Sequence, residues 1–214
     1  MTKKMDDNIN LPTQIPIFPL PNALLLPGGQ LPLNIFEPRY LAMVDDALCH
    51  PDRLIGMVQP MEEQNSLFGI GCAGRIGYFQ ETDDGRYMIA LNGVCRFRLG
   101  GHEQTEPGYR LADVSWDEFA ADLQDPLEGI ADRDRMFTIM RRYFAARGFD
   151  ADWDQIERSE DEQILNTLAM VCPFEVAEKQ ALLEADGMAR RADLLIAMME
   201  MALHEDDGGN DARH

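Results

Sequence analysis

The most suggestive spacing in this chain of 214 residues is Gly69-Ile70-Gly71-Cys72-Ala73-Gly74, which matches the dinucleotide pattern G-x-G-x-x-G letter for letter. That pattern binds a pyrophosphate only between a strand and a helix N-terminus, with an acid about 20 residues further on for the ribose. Here Arg75-Ile76-Gly77-Tyr78-Phe79 continues as a strand and position 94 is valine. The glycines therefore read as close strand packing or bulges, and no cofactor is expected. A P-loop needs a lysine directly after a glycine to meet the β- and γ-phosphates. The lysines are Lys3, Lys4 and Lys179, and none follows a glycine. A Ser–Lys hydrolase needs a hydroxyl beside a neutral amine. The serines are Ser66, Ser115 and Ser159. Ser159 reads as the cap of Ser159-Glu160-Asp161-Glu162, and Lys179 as a charged ammonium paired with Glu175 and Glu178. Cys49-His50, His102, His204 and His214 show no ligand spacing, so no metal is expected. Paired carboxylates can be found anywhere among 38 acids and carry no weight alone. No catalytic residue is assigned.

What remains is chemistry of binding. Glu37 and Arg39 bracket Pro38. They are either a recognition pair at a cleft rim or an ion pair that fixes a strand-to-helix corner. Arg86, Arg96 and Arg98 share one hairpin and read as solvated strand arginines. Leu194–Leu203, LLIAMMEMAL, holds one charge in ten residues. A surface helix should show a polar face, so this segment is either a core helix or one that offers apolar surface to a partner. On the second reading Leu195, Met198, Met199 and Met201 are the binding candidates, and the 13 methionines of the chain suit surfaces that accept varied apolar segments.

Composition narrows the partner. The formal charge is −19; residues 1–118 carry 9 basic and 16 acidic side chains, and residues 119–214 carry 10 and 22. Nucleic acid is excluded, because phosphate binding runs on lysine and arginine. MTKKMDDNIN lacks an apolar core with a cleavage site, and Cys49, Cys72, Cys95 and Cys172 form no CxxC. Free, buried thiols without an export signal point to the cytoplasm.

The elements that must position these residues follow. No charge occurs from Asn8 to Phe36, yet Pro12, Pro16, Pro19, Pro21, Pro27 and Pro32 fall there. Each proline inside a helix costs about 3 kcal/mol, so this is no membrane span. It reads as strands Ile15–Phe18 and Leu31–Phe36 around a Pro27-Gly28-Gly29 turn, with Ile17, Phe18, Leu20, Leu33, Ile35 and Phe36 lining a core. Pro38 starts a helix to Leu48. Strands are expected at Leu54–Val58, Gly71–Gln80, Tyr87–Leu99 and Tyr109–Ser115, with Asp83-Asp84-Gly85 as a hairpin turn. From Asp125-Pro126, an N-cap and N1 pair, the period turns helical. Helices are expected along the Ile130–Phe144 stripe to Gly148, from Ser159 to Pro173, over 174–185, and over 188–204.

At PIFPL…LLPGGQLPLNIFEPRY the chain resembles the opening of the Lon-protease N-terminal domain, specifically its short stand-alone relatives. GIGCAGRIG at 69–77, DGRYMIALNGVCRFRL at 84–99 and CPFEVAEKQALLEADGMARRADLL at 172–195 follow in order. The signature positions are Pro19, Pro27, Gly28, Pro32, Phe36, Glu37, Arg39 and Tyr40. The resemblance covers about residues 12–203 and implies an α+β fold, with a mixed, β-barrel-like (PUA-like pseudobarrel) unit at 12–118 followed by an α-helical bundle at 119–204; the charged, glycine-bearing 205–214 reads as a disordered acidic tail. It also implies a non-enzymatic substrate-recognition protein that binds unfolded or damaged polypeptides, as adaptor to or competitor of a Lon-type protease. A homo-oligomer is compatible, and no membrane or nucleic-acid partner is expected. The alternatives are a hydrolase without a recognisable motif and an interface module for one folded partner.

Overall fold

The computed structural model describes residues 11–61, 66–124 and 129–210, with side chains to residue 204. Six strands form one sheet: β1 (Gln14–Pro19), β2 (Gln30–Ile35), β3 (Leu54–Val58), β4 (Ile70–Glu81), β5 (Tyr87–Gln104) and β6 (Arg110–Ser115). Their order is β2-β5-β4-β3-β1-β6, and an added β5–β6 pairing closes five of them into a ring. The length of β5 makes this possible. Its first residues pair with β2, whereas Arg98–Gln104 pair with β6. Register shifts at Ala73/Gly74, Ile76/Tyr78 and Leu99/His102 supply the curvature that closure requires. Among the described strands only β1 and β3 pair in parallel, and the chain between them returns through β2 and helix α1 (Pro38–Cys49), the long connection that parallel pairing requires.

The ring encloses Ile15, Ile17, Leu54, Val58, Ala73, Phe97, Ala112 and Val114. Trp116 stands edge-on to Phe97 at 5.8 Å and donates its indole N–H to the Pro12 carbonyl at 2.8 Å. Two of the GIGCAG glycines are set by close packing, Gly71 against the ring interior and Gly74 against the helix-facing side of the sheet. A Cβ on Gly71 would lie 2.5 Å from the Phe97 ring, and one on Gly74 2.6 Å from Leu25.

The outer face of the sheet shares a second, larger core with the helices α2 (Arg133–Arg147), α3 (Trp153–Arg158), α4 (Asp161–Val171), α5 (Val176–Glu184) and α6 (Gly187–Asn210). The Pro-rich opening is the mortar between them. Leu24, Leu25 and Leu26 are buried, Asn166 of α4 donates to the Pro27 carbonyl at 2.9 Å, and Lys179 of α5 donates to the Asn22 carbonyl at 2.8 Å. Gly28 takes φ +73° at the turn, a conformation that costs glycine nothing.

Several expectations are corrected. Phe36 is 62% exposed, because Ile35 takes the inward side of the strand and alternation turns its neighbour out, against Arg86. Leu20 and Leu33 are only partly buried, whereas Ile17, Phe18 and Ile35 are core. Arg96 is not solvated but buried. Lys179 is not paired with Glu175 and Glu178; those two form the capping box of α5, and burial pulls the lysine below its ordinary pKa. Ser159 does not cap α4. Glu160 holds that position without a side-chain bond, and Ser159 Oγ donates back to the Gln155 carbonyl of α3. Cys49 is exposed. Asp125-Pro126 lies outside the described residues; α2 opens at Arg133, with Asp132 accepting from the Arg135 N–H. Helix α6 continues beyond His204 to Asn210.

Candidate polypeptide-binding cleft

Helix α4 carries Ile164, Thr167, Leu168 and Val171 at i, i+3, i+4 and i+7, the spacing that places four side chains on one helix face. This face forms one wall of a cleft of about 620 Å³ in the helical half. Met140 and Phe144, one turn apart on α2, face it. The end of α2 shapes the third side. Gly148 adopts φ +67°, and the Phe149 N–H reaches back to the Phe144 carbonyl at 2.9 Å, the six-to-one bond of a Schellman turn. Phe149 therefore folds over Phe144, edge to face at 5.6 Å.

The turn leads into α3, whose N-cap Asp152 accepts from the Gln155 N–H. Ile156 of α3 completes the wall. Trp153 is fixed behind it, 5.6 Å from Phe144 and capped by the Arg141 guanidinium 4.2 Å above its ring. Ile164, Leu168, Met140 and Cys172 are buried as the floor, while Val171 is 71% and Phe149 39% exposed at the mouth. Burial pushes the Cys172 thiol up to about 11, so it is a neutral apolar surface at neutral pH. The charged residues lining the cleft are Asp150 and Asp152, both acidic. The site can take up apolar side chains; it has no nucleophile–base arrangement among its described residues.

The sequence candidates fall elsewhere. Leu195 and Met199 have no exposed surface and belong to the core, Met198 is partly buried against it, and Met201 is 61% exposed beside exposed Ala197. Helix α6 thus turns its 195/198/199/202 stripe inward, and none of these residues lines the cleft. The two that lie in the core are not available to a partner. Glu37 and Arg39 form a local ion pair at 2.8 Å, and Arg39 lies over the Tyr40 ring, which packs on Phe18 at 4.2 Å. This cluster pins the corner where β2 gives way to α1. The cleft itself escaped sequence reading because α3 is only 6 residues long, too short for a periodic signal. Gly148 followed by an Asp152 cap ahead of Trp153 was its one trace.

The family model of the ATP-dependent protease La (LON) substrate-binding domain matches residues 14–201. This chain belongs to that family. A Lon N-terminal domain protein from Xanthomonas campestris superposes with a TM-score of 0.61 at 25% identity, covering 86% of this chain and 98% of that one. The N-terminal domain of a Mycobacterium avium complex Lon protease gives 0.63 at 16% identity over 87% and 98%, a likeness of fold. The Lon protease of Flavobacterium johnsoniae is 25% identical over 96% of this chain but only 26% of its own length. Lon protease 2 of Myxococcus xanthus is 31% identical over 42% of this chain and 12% of its own length. The chain thus spans only about an eighth to about a quarter of the length of these relatives. Membership of the Lon substrate-binding family supports a role in substrate recognition. Among the described residues no helix is long and apolar enough to cross a membrane.

Proposed function

We propose that this chain binds unfolded or damaged polypeptides in the α2–α3–α4 cleft and acts, in the cytoplasm, as an adaptor to or competitor of a Lon-type protease. The observation that carries this reading is the apolar cleft with Val171 and Phe149 exposed at its mouth. Native chains hide their apolar side chains, whereas unfolded ones offer them, and each one buried here gains roughly 25 cal/mol per Å² removed from water. A cleft of about 620 Å³ lies within the usual range for such binding sites.

The test is a fluorescence-anisotropy titration with a labelled, reduced and carboxymethylated protein beside its native form. The unfolded probe binds and the native one does not. Val171→Gln weakens binding about tenfold, the worth of about one buried valine, with an unchanged melting temperature because the side chain is exposed. Equal binding by Val171→Gln and by a Phe149→Ala companion sinks the assignment to this cleft. Adding the chain to a Lon protease digesting the same probe separates the roles: degradation accelerates for an adaptor and slows for a competitor. No change in either direction removes both.

A further inference from the structure

The cleft pairs an apolar interior with an acidic surround, and this carries a statement about what it selects. Residues 150–162, which run from the turn after α2 through α3 into α4, hold seven acids and one base, Arg158. Glu157 is engaged by Arg141 and Asp161 by Arg133 at 3.2 Å. Asp150 and Asp152 stand at the cleft, and the whole chain adds a formal charge of −19 around them. A concave apolar site rimmed by one sign of charge concentrates ligands of the other sign and repels its own.

We propose that the cleft selects apolar segments flanked by lysine or arginine and discriminates against the same segments flanked by acids. The apolar side chains enter between Met140, Phe144 and Leu168, and the flanking cations lie along the Asp150–Asp152 turn. This deepens the polypeptide-binding reading above and rests on it. The selected class is chemically defined: an apolar run with basic neighbours, exposed when a basic protein loses its fold. The same rim rejects the acidic stretches of this chain itself, so copies of it do not compete for their own clefts.

The test uses three short labelled peptides sharing one Leu/Phe-rich core, with Lys/Arg, Ser/Gly or Asp/Glu flanks, titrated by anisotropy into the full chain. At low salt the basic peptide binds about fivefold tighter than the neutral one, and the acidic peptide binds weakest; the spread collapses at several times the ionic strength, as exposed charges become screened. Asp150→Asn with Asp152→Asn brings the basic and the neutral peptide to equal affinity. Asparagine keeps the N-cap of α3, so the fold is retained. Equal affinities across the three peptides overturn the charge selection while leaving the cleft as the binding site. No binding by any of them overturns the cleft reading and this inference together. A preference that survives in the double variant overturns the assignment to this rim.

Discussion

Arg96 meets Asp122 side-on inside the protein, with Nε 2.8 Å from Oδ2 and Nη2 2.8 Å from Oδ1. The remaining guanidinium nitrogen, Nη1, donates to the carbonyls of Leu183 and Ala185 at the end of α5. Arg191 of α6 donates to the adjoining Leu182 carbonyl. Cations thus close the negative end of a buried helix and tie the strand ring to the helical half. Burial alone would lower the Arg96 pKa, but the hydrogen bonds and charge of Asp122 outweigh it and hold it above the usual arginine value.

Arg96→Met strands the Asp122 carboxylate and two helix-end carbonyls. The expected loss is roughly 3–5 kcal/mol, read by urea unfolding. Adding Asp122→Leu recovers part of it, since no buried charge is then left alone. A single variant within about 1 kcal/mol of wild type would show that the pair contributes little.

Gly93→Ala and Gly85→Ala separate steric from conformational cost. A Cβ on Gly93 would stand 1.9 Å from the Leu26 carbonyl oxygen, whereas nothing lies within 4 Å of one on Gly85, which sits at φ +77°. The first variant is expected not to accumulate as folded protein; the second loses about 1 kcal/mol. Comparable melting temperatures would mean that the Leu24–Leu26 segment can move away.

Phe36→Ala should melt within about 0.5 kcal/mol of wild type, because the ring is already in water. Phe97→Ala, at a fully buried position, should cost about 3–5 kcal/mol. Reversed results would invert the two faces of the sheet.

Native thiol titration should find Cys49 fast-reacting, and Cys72, Cys95 and Cys172 reactive only after denaturation. Burial both blocks the reagent and disfavours the thiolate; Cys95 is pushed up to about 12. Rapid modification of more than one thiol in the native state would contradict this burial.

Tyr109 is pushed up to about 12, first by burial and then by the hydrogen bond it donates to Asp46 at 2.7 Å. Its unfolded counterpart ionises near pH 10. Between these values the folded chain holds a proton that the unfolded chain has released, so stability is intact below about pH 10 and falls as pH rises toward 12. Tyr109→Phe removes part of that slope in melting experiments run across the window. An unchanged slope would deny Tyr109 its share.

The strands and α1 were legible because each carries a local signal: alternation in Tyr87–Leu91, Asp84-Gly85 at the hairpin, and Pro38 at the first helical position. Ring closure had no local signal, since it depends on one strand serving two partners and no residue of β5 announces that; only the family resemblance, with its β-barrel-like unit, implied it. The buried arginine was hidden for the same reason. Arg86, Arg96 and Arg98 look alike in sequence, and only the arrival of Asp122 and the α5 terminus distinguishes the middle one. In α6, Leu195 and Met199 looked available because the apolar pattern runs nearly all the way round; α2 and α4 pack on that helix and decide which side is inside. The cleft was least visible, being assembled from a glycine-terminated turn, one short helix and a stripe that reads equally well as core.

The segment Leu24–Gly29 also bears on how the chain is made. Pro27 waits for Asn166, 139 positions later, and Asn22 for Lys179, 157 positions later. At ribosomal speeds of about 5–20 residues per second, those partners emerge on the order of ten seconds after the carbonyls they bind. During that interval the strands can meet Leu25 and Leu26 through Gly74 and Gly93, but the helical side of the Leu24–Leu26 core is still missing from the unfinished chain. Pro21 and Pro27 bracket the triplet, and proline cannot donate to a growing intermolecular ladder. The prolines that rule out a helix here thus also guard the nascent polypeptide against aggregation until its own C-terminal helices arrive.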